Sequence, residues 1–377
     1  MVYLDYNATT PLCADARDAM GPFLDGNFGN PSSIHAGGRR ARAEVDDARE
    51  RLAAVMGVGA QEIIFTGGGT ESCNLGVIGL ARAHASKGRH LITSAIEHHA
   101  VLHACEYLRD FEGFEVGILP VDASGTVSPR ALEEMIRPDT TVVSVMQANN
   151  ETGAIQPLRE LAEVCRRRGV FFHSDAVQAF GKLPVKPREL GVSALSIAAH
   201  KFHGPMGVGA LFLADGIALS RTAHGGAHEN ARRPGTENVA GIAGMAAAAA
   251  AFSGEPARLL PLRESLWEGI LAACPEAIRN GDPQRTLANT LNVSFPGADG
   301  EALVIGLDLE GVCVSAGPAC MAGAIRPSHV LLAMGIPWQT AMATVRFSLG
   351  KETTESDVRH AVGAVRRVLS LQPRDAR

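Results

Sequence analysis

The sequence predicts an α/β protein with a large, mostly parallel sheet and a smaller α+β domain after it. Short apolar runs alternate with helical patterns over the first two thirds of the 377-residue chain. This alternation is typical of parallel strands covered by helices on both faces, because each pair of parallel strands needs a crossover. After about Ser253 the rhythm changes. The length also exceeds what one hydrophobic core usually covers, which favours two domains.

The first part of the chain supplies the parallel sheet. The predicted strands are Glu62–Thr66, His90–Ala95, Glu115–Leu119, Thr141–Met146, Val170–Ser174, Leu195–Ala199 and Val208–Leu213. The helices predicted between them include Thr70–Ala85, Ser128–Ile136 and Leu158–Arg167. Val239–Phe252 is the longest apolar run, but it falls short of the roughly 20 residues of a membrane span. We therefore expect a closely packed buried helix there.

The second part follows a predicted boundary at Gly254–Pro256. It begins with a long amphipathic helix at about Leu259–Cys274. The remaining predicted elements are a strand at Thr290–Phe295, a helix at Gly300–Asp308, strands at Val312–Ser315 and Thr344–Ser348, and a closing helix from about Glu355.

Composition argues against several classes of protein. The net charge of -5, with no long basic tract, gives no electrostatic footprint for nucleic acid. No segment reads as membrane-spanning, and Met1–Asp5 has no signal-peptide pattern. The seven cysteines are an odd number without tight pairs, which argues against a disulfide scaffold. They contain no C-x-x-C, which argues against a zinc ribbon or a thioredoxin-type site. A reducing cytoplasm fits this cysteine usage, so we expect a cytoplasmic protein.

A glycine-rich turn is predicted between the first strand and helix. The segment Gly67–Glu71 (GGGTE) would point free backbone N–H groups and a helix dipole at an anion. It matches neither common nucleotide-binding motif. A plain tight turn explains it equally well.

Two charged residues follow neighbouring predicted strands. Asp175 and Lys201 stand where ligands bind in parallel sheets, at the carboxyl ends of strands. A carboxylate for a protonated ring nitrogen and a desolvated lysine for an aldehyde are what pyridoxal phosphate requires. The alternatives are a helix cap for Asp175 and a surface ion pair for Lys201.

Two further segments carry reactive side chains. In Glu97–Ala100 (EHHA), an imidazole could lie over a flat cofactor ring, bind metal, or be an ordinary surface histidine. No third metal ligand is evident nearby. Cys320 sits in the small-residue stretch Val314–Gly323, where an exposed thiolate could act as a nucleophile. A buried structural cysteine is the alternative.

Ten segments in this order resemble the cysteine desulfurases of the NifS/IscS type, which are pyridoxal-phosphate enzymes of the class V aminotransferase family. They are YLDYNATTP at Tyr3–Pro11, GNPSSIH at Gly29–His35, FTGGGTES at Phe65–Ser72, EHHAV at Glu97–Val101, NNETGAIQP at Asn149–Pro157, HSDAVQAFGK at His173–Lys182, AHKFHGP at Ala199–Pro205, RRPGTENV at Arg232–Val239, the Cys320 loop through PSHVLLAMG at Pro327–Gly335, and VRFSLG at Val345–Gly350. Together they cover nearly the whole chain, which makes the resemblance highly specific.

The resemblance implies the fold of pyridoxal-phosphate transferases of fold type I, with a seven-stranded sheet in the large domain. We expect that domain to span residues 15–255. We expect the small domain to combine residues 1–14 with 256–377 and to carry the catalytic cysteine loop. The resemblance also implies a homodimer with shared active sites.

The resemblance assigns several residues to the cofactor ring. Lys201 matches the lysine that binds the cofactor aldehyde and later moves the substrate's α-proton. Asp175 matches the carboxylate that keeps the ring nitrogen protonated, and His98 the imidazole stacked on the ring. Asn150 and Gln178 match side chains that hydrogen-bond the ring's phenolic oxygen.

The phosphate site is assigned in the same way. Gly69, Thr70 and His200 match the phosphate cup. Thr236 matches a phosphate ligand that each subunit donates to its partner.

The resemblance also assigns the substrate-binding groups. Arg346 matches the arginine that grips the carboxylate of L-cysteine, and Asn7 an N-terminal residue near the substrate. Cys320 matches the nucleophile that takes the sulfur, becomes a persulfide and releases L-alanine. The sulfur would then pass to an acceptor such as an IscU/NifU-like scaffold protein. We expect no resident metal, although Cys320 could ligate an iron–sulfur cluster during transfer.

Two other functions stay open at this point. One is another enzyme on the same cofactor, such as a selenocysteine lyase or an aminotransferase. The other is a non-catalytic sulfur-relay or scaffold relative. Cys320 speaks against the first, and the set of Lys201, Asp175, His98 and Arg346 against the second.

The sequence departs from the family pattern at four positions. Pro318 and Gly67 stand where serine is usual, Ala198 where many relatives have a phosphate-binding serine, and Met206 where lysine is common. None of these departures removes a principal catalytic group.

Overall fold

The computed structural model describes residues 1–251, 256–316 and 326–372. The strands are β1 (Val2–Tyr3), β2 (Ile63–Thr66), β3 (His90–Ser94), β4 (Glu115–Leu119), β5 (Thr140–Ser144), β6 (Phe171–Asp175), β7 (Ala194–Ala198), β8 (Gly209–Leu213), β9 (Ile278–Arg279), β10 (Thr290–Ser294), β11 (Val312–Cys313) and β12 (Thr344–Ser348).

The helices lie mainly between these strands. They are α1 (Ala14–Leu24), α2 (Ala36–Met56), α3 (Gly69–Ala83), α4 (His99–Glu112), α5 (Pro129–Met135), α6 (Leu158–Arg168), α7 (Pro187–Leu190), α8 (His228–Ala231), α9 (Val239–Ala251), α10 (Pro256–Ala273), α11 (Gly300–Leu309), α12 (His329–Ala333), α13 (Trp338–Met342) and α14 (Glu355–Leu371). Among the described helices, none is both long and apolar enough to cross a membrane.

A seven-stranded sheet forms the centre of the molecule, in the order β2-β8-β7-β6-β5-β3-β4. β8 is antiparallel to both of its neighbours, and the ladders from β7 through β4 are parallel. The prediction of a mostly parallel sheet of seven strands is confirmed. Because the strands from β7 to β4 run in one direction, their carboxyl ends share one edge of the sheet.

Helices cover both faces of this sheet. In β2, Ile63 and Phe65 enter one core while Ile64 enters the other, as the two-residue period of a strand requires. The first core is shared with residues of α2, α6 and α9, and the second with residues of α3 and α4. Burial on both faces explains why these strands read as continuous apolar runs.

A second core lies in the remaining part of the chain. β10 pairs antiparallel with β12 and β9, and residues of α10, α11 and α14 pack in the same cluster. The start of the chain joins this unit, because β1 pairs parallel with β11 and Leu4 is buried in its core. β1 and α14 therefore contribute to the same core.

Most predicted elements are found within a few residues of their expected bounds. The strand predicted at Thr141–Met146 is Thr140–Ser144, and the strand predicted at Val312–Ser315 is two residues long. The buried helix predicted from Val239 is observed as far as Ala251. Gly254 and Glu255 of the predicted boundary lie outside the described residues.

His173, on β6, forms hydrogen bonds to both neighbouring strands of the large sheet. Its Nδ1 lies 2.8 Å from Ser144 Oγ on β5, and its Nε2 lies 2.9 Å from Ser196 Oγ on β7. Burial lowers the pKa of His173 from 6.5 to about 3. The folded protein thus holds a neutral imidazole at a pH where the unfolded chain would protonate it.

We expect His173→Gln to flatten the pH dependence of stability below neutrality. In the parent, the unfolded state takes up a proton near pH 6.5 but the folded state only near pH 3, so the free energy of unfolding falls as pH falls. His173 contributes at most about 1.4 kcal/mol per pH unit to the slope of the free energy of unfolding. Denaturant unfolding of parent and variant in a pH series measures it. Parallel curves for the two proteins would show that His173 does not set the slope.

Candidate active site

Asp175 forms the inner end of the site, at the carboxyl end of β6. It is 6% exposed, and its Oδ1 accepts a hydrogen bond from the Val177 N–H at 2.9 Å. Burial raises the pKa of Asp175 above its ordinary value, and the Val177 N–H partly offsets this. A buried carboxylate of this kind calls for a cationic partner, which a protonated ring nitrogen would supply.

Lys201 stands in a 3-10 turn directly after β7, the strand beside β6. Its Nζ donates to the carbonyl oxygens of Asn7 and Ala8, both at 2.7 Å. Burial, followed by the charge of Arg346, lowers the pKa of Lys201 to about 8. A substantial share of neutral amine near physiological pH is what a lysine nucleophile needs.

The glycine turn predicted between β2 and α3 opens into a large cleft of about 1260 Å³. α3 begins at Gly69, so the amides of its first turn lack partners within the helix. A Cβ at Gly69 would lie 2.9 Å from Val177 Cγ2 and 3.3 Å from Ala198 Cβ. Glycine therefore lets the turn lie close to the ends of β6 and β7.

Glu71 occupies one side of this turn. Its Oε2 accepts the Gly67 N–H at 2.5 Å, and its Oε1 accepts from Arg233 Nε at 2.7 Å. The Arg233 guanidinium is thus paired with a carboxylate. His200 also lines the cleft, but burial lowers its pKa to about 4, so it is neutral.

His98 faces the cleft and caps the N-terminus of α4. Its Nδ1 accepts the Ala100 N–H at 3.1 Å, which leaves the proton on Nε2 in the neutral ring. The surrounding protein lowers the pKa of His98, although the ring itself is exposed to the cleft. The charge of Asp175 raises this pKa and the charge of Lys201 lowers it, and these two residues follow neighbouring parallel strands.

His98 lies beside a row of three imidazoles. The rings of His99 and His103, and those of His99 and His329, have centroids 4.9 Å apart. Within the described ranges, no group of three or more side chains could hold a metal ion.

Arg346, on β12, brings the second unit to the site. Its Nη2 lies 2.6 Å from Asp5 Oδ1, and its Nη1 donates to the Asn150 carbonyl at 2.9 Å. Its Nε is buried with no hydrogen-bond partner among the described residues. A guanidinium held on two sides with a spare donor is suited to binding a carboxylate.

Asn7 and Gln178 are held together behind Lys201. Asn7 is 1% exposed, and its carbonyl accepts from Gln178 Nε2 at 2.8 Å as well as from Lys201. In this arrangement the Gln178 amide donates to the main chain of Asn7. The Asn150 side chain is partly exposed nearby, while its carbonyl accepts from Asn7 Nδ2 at 3.2 Å.

One predicted residue does not join this cluster, and another cannot be placed in it. Thr236 is exposed and lines a separate small cavity with Phe65 and Arg233. Cys320 lies outside the described residues, as does Pro318.

Several residues of the site were missed by the reasoning from sequence. They are Asp5, Glu71, Lys182 and Arg233. All four lie inside the ten motifs that carry the family resemblance, and that was the available signal. Their roles were hidden because each depends on a partner distant in sequence.

We expect Gly69→Ala to weaken the binding of pyridoxal phosphate, the cofactor that the resemblance implies. The new Cβ would force the turn away from Val177 and Ala198, so affinity should fall by about tenfold or more. An absorbance titration of the cofactor-free protein gives the dissociation constant. Gly21→Ala is the control, because a Cβ at Gly21 would meet nothing within 4 Å. Unchanged affinity in Gly69→Ala would contradict the placement of the phosphate at this turn.

Comparisons with known proteins identify the family of this chain. Residues 2–360 match the family described as Aminotransferase class-V. The cysteine desulfurase IscS of Dictyoglomus turgidum is 46% identical over 372 residues, covering 98% of this chain and 94% of that protein. A NifS-like protein of known structure has a TM-score of 0.92 and 37% identity, covering 98% of this chain and 99% of that one.

A structure of SspA in complex with cysteine is a further relative. It has a TM-score of 0.83 and 35% identity, over 93% of this chain and 99% of that one. The resemblance found in the sequence motifs is confirmed. The chain belongs to the class V aminotransferase family.

Proposed function

We propose that this protein is a cysteine desulfurase that uses pyridoxal phosphate to move sulfur from L-cysteine to Cys320. The observation that carries the proposal is the convergence of Asp175, Lys201 and Arg346 at one edge of the sheet. Asp175 and Lys201 follow neighbouring parallel strands, and Lys201 and Arg346 are joined through hydrogen bonds to Asn7 and Asn150. Near full-length relatives named cysteine desulfurase support the same reaction.

The residues of the cleft fit pyridoxal phosphate. Asp175 would hold the ring nitrogen, His98 would cover the ring, and Gly69, Thr70 and His200 would hold the phosphate. The absence of a Cβ at Gly69 leaves the turn close enough to Val177 and Ala198 to form this end of the site. When bound, the cofactor supplies an electron sink for the bonds at the substrate's α-carbon.

Arg346 would bind the substrate carboxylate. Asp5 and the Asn150 carbonyl hold its two terminal nitrogens, and the buried Nε is a donor that a bound carboxylate can satisfy. That a relative, SspA, has a structure in complex with cysteine supports a site of this size and charge. Orientation by Arg346 would fix which face of the α-carbon meets Lys201.

Lys201 would act as the base at the α-carbon. Its lowered pKa, about 8, keeps part of the amine unprotonated, and the carbonyls of Asn7 and Ala8 hold Nζ in a defined place. His98 is neutral and could carry a proton at Nε2.

Cys320 would complete the reaction. Its thiolate attacks the sulfur of L-cysteine, the bond between that sulfur and Cβ breaks, and Cys320 keeps the sulfur as a persulfide while L-alanine leaves. The electron pair of the broken bond stays with Cβ, which takes up a proton, so one thiol and one L-cysteine give one persulfide and one L-alanine. Cys320 could also ligate a cluster during transfer.

Two residues that follow the Cys320 stretch form hydrogen bonds to loops that follow strands of the large sheet. Ser328 Oγ donates to Glu151 Oε2 at 2.5 Å, and His329 Nε2 lies 3.0 Å from the Glu97 carbonyl. These bonds support the assignment of Cys320 to the same cleft, since they bring the chain back beside His98.

We further propose a homodimer in the cytoplasm. The family resemblance assigns Thr236 to the phosphate site of a second copy, and Thr236 is exposed in the single chain, as that role requires. The two domains would divide at residues 14/15 and 255/256. The persulfide would pass to a scaffold protein for iron–sulfur cluster assembly or to another thiolation pathway.

We expect Cys320→Ala to abolish sulfide release while the protein keeps its cofactor. The purified parent, given L-cysteine and a reductant, should yield alanine and sulfide in equal amounts. Cys13→Ala is the control, because Cys13 is a partly buried cysteine at the start of α1. Full activity in Cys320→Ala would remove it as the nucleophile. A parent that binds the cofactor but makes neither product would refute the proposed reaction.

We expect Ala198→Ser to tighten the binding of pyridoxal phosphate by about fivefold. Ala198 is buried beside the Gly69 turn, where a hydroxyl would add one hydrogen bond worth about 1 kcal/mol. Pyridoxal without the phosphate is the control ligand and should bind both proteins alike. An equal gain for both ligands would place the hydroxyl's effect on the ring instead of the phosphate.

A further inference from the structure

Two lysines meet at Asn7, and one of them has no role in the reaction described above. Lys201 Nζ donates to the Asn7 carbonyl at 2.7 Å. Lys182 Nζ donates to Asn7 Oδ1 at 2.9 Å and to Gln178 Oε1 at 2.7 Å. Lys182 therefore contacts two residues of the site at once.

Asn7 is held from the other side by the second structural unit. Its N–H donates to Ser348 Oγ at 2.9 Å, its Nδ2 to Thr290 Oγ1 at 2.9 Å, and its Oδ1 accepts from Asn289 Nδ2 at 3.0 Å. Lys182 is the side-chain donor to Asn7 Oδ1 from the large sheet layer. The position of the Asn7 carbonyl thus depends on both units.

Lys182 also decides which way the Gln178 amide points. An ammonium or amine donor against Oε1 requires that Nε2 lie on the opposite side, where it donates to the Asn7 carbonyl at 2.8 Å. A flipped amide would place two donors against each other. Without Lys182, the amide could rotate and the Asn7 carbonyl could lose one of its donors.

The surroundings of Lys182 favour its uncharged amine. Burial, then Lys201, then Arg346 lower the pKa of Lys182 well below its usual value. Lys182, Lys201, His203 and Lys351 line one small cavity, while Asp5 and Asp175 act on Lys201. A neutral amine still donates to Asn7 Oδ1 and Gln178 Oε1, so the effect of Lys182 on Lys201 runs through these hydrogen bonds.

We propose that Lys182 is a positioning residue for Lys201, acting through Asn7 and Gln178. It would hold the Asn7 carbonyl in the position where that oxygen accepts a hydrogen bond from the free amine of Lys201. This inference rests on the proposed function of Lys201 and names a further residue for the same reaction.

The test is the labelling of Lys201 by pyridoxal phosphate in the cofactor-free protein. Borohydride fixes the adduct, and mass spectrometry of the Lys201 peptide gives its rate of formation across a pH series. We expect Lys182→Met to slow labelling at neutral pH by about tenfold, the effect of losing the hydrogen bonds that position Asn7 and Gln178. We expect the pH midpoint to stay at that of the parent, because burial, Arg346, Asp5 and Asp175 set the pKa of Lys201.

Lys186→Met is the matched control. Lys186 lies four residues further on, and its Nζ donates to the Val55 carbonyl at 2.5 Å, away from the site. It should label like the parent. Lys182→Gln, which keeps a donor without the charge, should fall between parent and Lys182→Met, and it decides the matter if Lys182→Met does not fold.

A double variant tests the route through Asn7. If Lys182 acts by holding Asn7, Asn7→Ala with Lys182→Met should label no more slowly than Asn7→Ala alone. Fully additive losses would overturn the proposal. So would a folded Lys182→Met protein with the parent's rate and pH profile.

This experiment separates the two proposals. Labelling of Lys201 requires no desulfuration, so a parent that labels but makes no alanine would refute the reaction and leave Lys182 under test. A parent that does not label at Lys201 would overturn both.

Discussion

The cost of removing Asp175 and Lys201 from water is the constraint on which the site depends. Neighbouring parallel strands bring the two residues to one edge of the sheet, where burial drives both toward their neutral forms. The Val177 N–H donates to Asp175, and the carbonyls of Asn7 and Ala8 accept from Lys201. These hydrogen bonds offset part of the cost of burying the two side chains. A bound ring with a cationic nitrogen and an aldehyde would relieve both costs together, which explains why this edge suits pyridoxal phosphate.

The N-terminal segment couples the two cores through that same edge. β1 and Leu4 belong to the second core, while Asp5 orients Arg346 and Asn7 receives Lys201. Thr10 continues the connection, since its Oγ1 donates to the His200 carbonyl at 2.9 Å. The placement of the second unit on the sheet and the geometry of the reacting groups are therefore set by one short stretch of chain.

The phosphate end relies on main-chain dipoles more than on cations. Arg233 is paired with Glu71, His200 is neutral, and exposed Met206 lines the cleft where relatives commonly carry a lysine. The N-terminal turn of α3 must then supply much of the attraction for an anion. This makes the close packing of Gly69 on Val177 and Ala198 more important here than in a site rich in positive side chains.

Sequence alone determined the layers of the fold and the chemistry of the sheet edge. Strand periodicity is local, and the carboxyl ends of parallel strands must share an edge, so Asp175 and Lys201 could be placed together. The direction of β8 could not be predicted, because a buried apolar run reads alike in either orientation. β1 and β11, with two residues each, are too short to show a pattern.

The partners of the polar side chains were decided by tertiary structure. Asn7 accepts a hydrogen bond from Lys182, 175 residues away in sequence, and Glu71 accepts one from Arg233, 162 residues away. Gln178 donates to the Asn7 carbonyl, although resemblance had assigned it to the cofactor ring. A hydrogen bond between distant residues leaves no periodic trace in a sequence, because it depends on where two backbones meet after both cores have packed.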